Sequence, residues 1–177
     1  MTMENMAFKI SPKPTQMVHS ATLKSNTGEA ELVIEFITPA KYTCQPGFES
    51  SIRLNGIHWD GDHTHPFQTA INGLWLMAED LMALRDYIVN YINQPLDRLN
   101  PEDLKGEFEL ARLPDQSLRF RFEPESGSSS KLNPEVFITM TAGRLRSEFH
   151  FVTDQSCLAI FAREMSAPLR GSHENTV

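Results

Sequence analysis

Apolar and polar positions change their period along this chain, and the changes mark out strands and helices. Between Glu29 and Thr38, Leu32, Ile34 and Phe36 alternate with Glu31, Val33 and Glu35. This period of two is that of a half-buried strand. Met17 to Ser25 precedes it across Asn26-Thr27-Gly28, a three-residue connection ending in glycine, and the pair predicts a β-hairpin. Glu49 to Leu54 forms a further short strand, and a polar, histidine-rich loop follows from Asn55 to His65. From Pro66 to Ile92 the period lengthens. Phe67, Ala70, Leu74, Met77, Leu81, Leu84, Ile88 and Tyr91 recur at steps of three and four, with Gln68, Asn72, Glu79, Asp86, Asn90 and Asn93 opposite. That spacing predicts one long amphipathic helix, capped by Thr64 and opened by Pro66. It is expected to run unbroken through Gly73, whose cost of about 1 kcal/mol a long buried face offsets.

Pro95 and Pro101 end this element. Alternation returns in Gly106 to Leu113, Ser117 to Glu123, Glu135 to Thr141 and Arg144 to Thr153, with turns at Pro114-Asp115 and Ala142-Gly143 and a Ser/Gly loop from Glu125 to Ser130. Leu118, Phe120 and Phe122 oppose Arg119, Arg121 and Glu123, as in an antiparallel sheet solvated on one face. Asp154 then caps a final helix through Met165, with Leu158, Phe161, Ala162 and Met165 inward. The expected fold is α+β: antiparallel sheet packed against one long central helix, with a C-terminal helix. Residues 1–170 form a single domain and 171–177 a disordered tail. Strands then helix, twice over, suggests a duplication, but no residue pattern repeats at a fixed offset.

Composition narrows the function classes. The chain has 177 residues, 40% hydrophobic and 22% charged, with a net charge of −7. That balance gives a soluble globular protein with a real core. An acidic surface argues against nucleic acid, which needs clustered cations, and suits a basic partner. No apolar run is long enough for a signal peptide or a membrane span. Cys44 and Cys157 are therefore expected to be reduced thiols in the cytoplasm.

Candidate chemistry is sparse. His58, Asp60, Asp62, His63 and His65 crowd into eight residues, an N/O donor set suited to zinc or a similar ion. The segment resembles the metallo-β-lactamase loop His-x-His-x-Asp-His, with Asp60 in a histidine position, but the downstream ligands of that fold are missing. The expectation is a solvated loop without metal, metal-dependent hydrolysis being the alternative. No Gly-x-Ser-x-Gly elbow and no phosphate-binding glycine loop occurs, so no catalytic residue, cofactor or enzymatic activity is expected. Cys157, in the first helical turn, is a candidate for a lowered thiol pKa and, alternatively, a packed small residue. On the helical wheel Trp75 falls among the polar residues. With Glu79, Asp80, Met82 and Asp86 it makes a candidate partner-binding face, the alternative being that Trp75 is core.

Two segments carry a resemblance. Ile52-Arg53-Leu54-Asn55-Gly56 and His65-Pro66-Phe67-Gln68-Thr69-Ala70-Ile71 running into Leu74 look like a small uncharacterised bacterial α+β domain. Glu148-Phe149-His150-Phe151 followed by Asp154-Gln155-Ser156-Cys157-Leu158 is similar to the small immunity proteins of the WapI type. That resemblance implies a non-catalytic cytoplasmic protein that binds and neutralises a secreted toxin. No catalytic residue carries over.

Overall fold

The computed structural model describes residues 18–37, 47–60, 62–94, 100, 104–113, 115–125 and 133–173. The proline-bearing segments 38–46 (with Cys44), 95–99 and 101–103, the Ser/Gly-rich segment 126–132 and the end 174–177 lie outside them. A first antiparallel meander comprises β1 (His19–Lys24), β2 (Glu31–Ile37), β3 (Gly47–Asp60) and β4 (His63–Met77), and leads directly into α1 (Ala78–Ile92). A second comprises β5 (Gly106–Leu113), β6 (Gln116–Pro124), β7 (Pro134–Ala142) and β8 (Leu145–Val152), and leads into α2 (Gln155–His173). The element order therefore repeats, although the residues do not. The expected sheet under one long central helix is overturned. The molecule is mostly β, with two four-stranded sheets and two shorter helices, and α2 continues through the first three residues assigned to a tail.

The error lies between Pro66 and Met77, which are strand. The β3–β4 register steps from Ser50↔Leu74 to Ser51↔Asn72, leaving Gly73 unopposed. Gly73 has φ +75°. This is a β-bulge with its glycine in the left-handed conformation. In a regular strand Phe67 and Leu74, seven residues apart, would face opposite sides. The extra residue puts them on the same side, as a helix also would. Phe67 and Ile71 pack on the core before the bulge, and Leu74 and Leu76 are buried after it. Helical spacing becomes genuine only at Ala78, where Ala78, Leu81, Leu84, Ile88 and Tyr91 are buried and Glu79 and Asp80 occupy the positive end of the helix dipole. Thr64 is a strand residue opposite Trp59 and caps nothing.

The other period-two readings largely hold, except that Leu145, alternating with the apolar Phe149 and Phe151 in β8, is 76% exposed. Ser25 N–H donates to the Ala30 carbonyl (2.8 Å) across the β1–β2 turn, which Gly28 closes with φ +76°. In β6 and β7, Leu118, Phe120, Phe122, Val136, Ile138 and Met140 are all buried. Asp154 caps α2, accepting a bond from the Cys157 N–H at 2.8 Å.

The two meanders share one core. Tyr87 of α1 packs between Phe108 and Phe122 of the second sheet, and its hydroxyl donates to the Leu104 carbonyl at 2.7 Å. Gly106 makes room for that ring, since a Cβ there would come within 2.8 Å of it. Phe161 of α2 meets Phe120 of the same sheet, and α2 also lies along β1. Backbone groups of β1 and its turn are paired by the second meander and α2. Thr22 N–H donates to Glu164 Oε2 (2.8 Å), Asn26 N–H to the Val152 carbonyl (2.9 Å), and the Thr153 hydroxyl to the Lys24 carbonyl (2.7 Å).

The bulge makes a signed prediction. A Cβ at Gly73 meets nothing within 4 Å, so Gly73→Ala acts through the backbone alone. It should lower stability to urea by about 1–2 kcal/mol, the cost of a left-handed L-residue. In a helix interior the same change would raise stability by about 1 kcal/mol.

Candidate binding groove

β2 pairs with β3 only as far as Glu31↔Asn55, whereas β3 and β4 stay paired from Gly56↔Phe67 to Asp60↔His63. Among the described residues the ends of β3 and β4 thus extend past β2 as a two-stranded ribbon. Such a ribbon is marginal by itself and needs something to lean on. Phe67 supplies it. Its ring lies over Gly56, where a Cβ would come within 2.5 Å of it. It also stacks on Phe149 of β8, with centroids 5.4 Å apart and planes 8° from parallel. Both rings are half-buried.

Around this pair the surface is concave. A cleft of about 290 Å³ runs between the β1–β2 turn, the ribbon and β8, and is lined by Glu29, Leu54, Ile57, Phe67, Phe149 and His150 among others. A second hollow of about 470 Å³ adjoins it at His65, Pro66, Phe67 and Phe149. Ile57 is 41% exposed, a large apolar side chain open to solvent at the rim. Glu29, also exposed, accepts a bond from the Thr27 hydroxyl at the turn. The groove therefore combines stacked aromatics, an aliphatic rim and an acidic corner.

The residues singled out from sequence are dispersed. Trp75 belongs to β4, opposite Glu49 on the outer face of the first sheet, where its indole covers Gly47. It is half-buried, neither a core residue nor a free anchor. The helical wheel that grouped it with Glu79, Asp80, Met82 and Asp86 does not extend back to it. On α1, Glu79 and Asp86 are exposed, Asp86 in contact with Arg85 at 2.6 Å, while Met82 packs against the core and Asp80 is half-buried. The histidine-rich segment is ribbon rather than loop. His63 and His65 are exposed in β4, Asp62 is exposed in the turn, and His58 and Asp60 are β3 residues paired with His65 and His63. Among the described residues no three His, Cys, Asp or Glu side chains gather as metal ligands. The groove residues Ile57, Phe67 and Phe149 were missed. Phe149 reads as an inward residue of its strand, and nothing in the sequence says that its cover is only partial.

Cys157 does not carry the lowered pKa that its helical position suggests. Burial, and then the adjacent Asp154 carboxylate, push the thiol above its ordinary value. The Ser156 hydroxyl, and next the Cys157 N–H, hold Asp154 below the usual carboxylate range. Asp154 therefore stays charged, and its charge opposes the thiolate.

Two measurements check these placements. In a Cys44→Ser background, iodoacetamide should alkylate Cys157 more slowly than free glutathione at pH 8, with the reactivity profile displaced to higher pH. Asp154→Asn should speed it, because the cap is kept and the charge removed. Trp75→Ala should lower stability by about 2 kcal/mol, roughly half the 3–5 kcal/mol of a fully buried aromatic, measured by urea denaturation.

Among the described residues no helix is long and apolar enough to cross a membrane. No family model matches the chain, and no curated protein matches it. Among solved structures, one described as "Structure of the plant transcriptional regulator PBF-2" aligns over 93% of this chain and 87% of its own, at 13% identity and a TM-score of 0.42. At that distance neither fold nor function is carried across.

Proposed function

We propose that this chain is a non-catalytic protein-interaction module of the immunity type, which captures a basic segment of a toxin protein in the groove between the β3–β4 ribbon and β8. The observation that supports this reading is the half-buried Phe67–Phe149 stack in a concave, apolar surface. Aromatic pairs at the centre of such a patch, ringed by polar groups, are the usual anchors of protein binding. Charge supports the basic character of the partner. The chain carries a net −7, Glu29 stands at the groove, and Glu79 and Asp86 are exposed on α1. Such a field raises association rates with cations and fades with salt. The earlier assignment of Trp75 as anchor passes to the groove aromatics, because Trp75 lies on the outer face of the first sheet.

Selection of a displayed random peptide library against the full chain tests the proposal. Enriched peptides should combine Lys or Arg with an aromatic or aliphatic anchor and bind more weakly as salt rises. Ile57→Asp, at an exposed rim position, should weaken them about tenfold, or ~1.4 kcal/mol. Acidic peptides, or binding unchanged by Ile57→Asp, would overturn it.

A further inference from the structure

β8 is an edge of the second sheet, its strand neighbour among the described residues being β7 alone. Successive residues of an antiparallel strand turn their backbone groups to opposite sides. Thr153 N–H donates to the Pro134 carbonyl and so continues the β7 ladder, whereas the Val152 carbonyl accepts from Asn26 N–H on the other side. By that alternation Arg146, Glu148 and His150 point their N–H and C=O groups to the open edge. Side chains alternate as well. Leu145 and Ser147 share the inner face with Phe149, while Arg146, Glu148 and His150 share the outer one. Leu145, at 76%, is the most exposed large apolar side chain among the described residues.

We propose that two copies of this chain join β8 to β8, antiparallel about a two-fold axis at Ser147, and so fuse their second sheets. The charge order of the strand carries the register. Pairing about Ser147 sets Arg146 opposite Glu148 of the second copy, and Glu148 opposite its Arg146. The two side chains already pair within one copy at 3.2 Å, so the axis doubles them into a cluster of alternating sign. Opposite charges facing across strands stabilise a pairing, and like charges oppose it. An axis at Leu145, Arg146 or Glu148 would set like charges opposite one another. An axis at Phe149 would need the Val152 carbonyl, which Asn26 already holds. On the inner face the same register brings Leu145 against Phe149 of the second copy, and the symmetry repeats the contact. The exposed leucine is thereby covered, and each copy lends it to the wall of the other's groove. Main-chain bonds along the edge supply affinity, as in strand addition, and a contact of this symmetry closes as a dimer.

Sedimentation of the full chain without peptide, over the micromolar range, should show a reversible monomer–dimer equilibrium. In a Cys44→Ser, Cys157→Ser background, Ser147→Cys should form a disulfide-linked dimer on mild oxidation. Facing residues at a non-hydrogen-bonded position have Cα atoms about 4.5 Å apart, within disulfide reach. Glu148→Cys, two residues out of step with its copy, should stay unlinked. Glu148→Arg and Arg146→Glu should each weaken the dimer at least about tenfold, because each sets like charges opposite one another twice. Mixed in equal amounts, these two variants should pair with each other, since opposite charges are then restored between copies and not within either. Both side chains are exposed, and an unchanged circular dichroism spectrum would show that the fold persists. A dimer that links through Glu148→Cys rather than Ser147→Cys, or one indifferent to both charge variants, would overturn the pairing. So would a chain that stays monomeric throughout, whose β8 edge must then be closed by another of its own segments or serve a different partner. Peptide capture by the groove is read separately, so failure of one proposal leaves the other standing.

Discussion

Each sheet presents an apolar face that must be covered, and the helix following it in sequence does not do this alone. Tyr87 of α1 is wedged among Phe108 and Phe122 of the second sheet, while α2 lies along β1 of the first and touches Phe120 of the second. The edge of β1 shows the same dependence. An edge strand leaves backbone groups unpaired, and here Glu164, Val152 and Thr153 pair them from the other half of the chain. A repeat of topology has thus become one cooperative unit.

The groove follows from a mismatch of strand lengths. β2 has 7 residues, whereas β3 has 14 and β4 has 15. Where the pairing of β2 ends, β3 and β4 continue with no third strand beside them among the described residues. The Phe67–Phe149 stack joins the inner faces of the two sheets there, which leaves both rings partly in water. An aromatic pair that closes a core at its rim is also a surface to which a partner can add area, so one contact can serve stability and recognition together.

The outer face of the second sheet illustrates what does not discriminate. Arg119 lies near Glu107 and Glu109, Arg121 pairs with Glu123 and stacks over Phe137, and Arg146 pairs with Glu148. Exposed pairs of this kind contribute at most about 1 kcal/mol each. They neutralise one another along β6 and β8 and between β5 and β6. The groove differs because its lining includes apolar side chains that are only partly covered by the described residues.

What the sequence determined by itself was local. Glycine-bearing turns, most of the period-two strands of the second half, the Asp154 cap and the helical spacing of Leu81, Leu84, Ile88 and Tyr91 follow from spacing and turn chemistry within a few residues, whereas the helix start at Ala78 does not. The failure at Pro66 to Met77 was local too, since one unopposed glycine gives a strand the phase of a helix. Gly73 carried the warning, because a glycine amid apolar residues in a strand marks a bulge as readily as it weakens a helix. Tertiary structure decided the rest. Which strand Gly73 faced, how far the ribbon outran β2, and whether Phe149 would be covered depend on partners distant in the chain. So does the backbone pairing of His58 with His65 in the β3–β4 register. Residue type and spacing set what each segment can present. The lengths and pairings of its neighbours set which of those residues stay exposed, and so where a site can form.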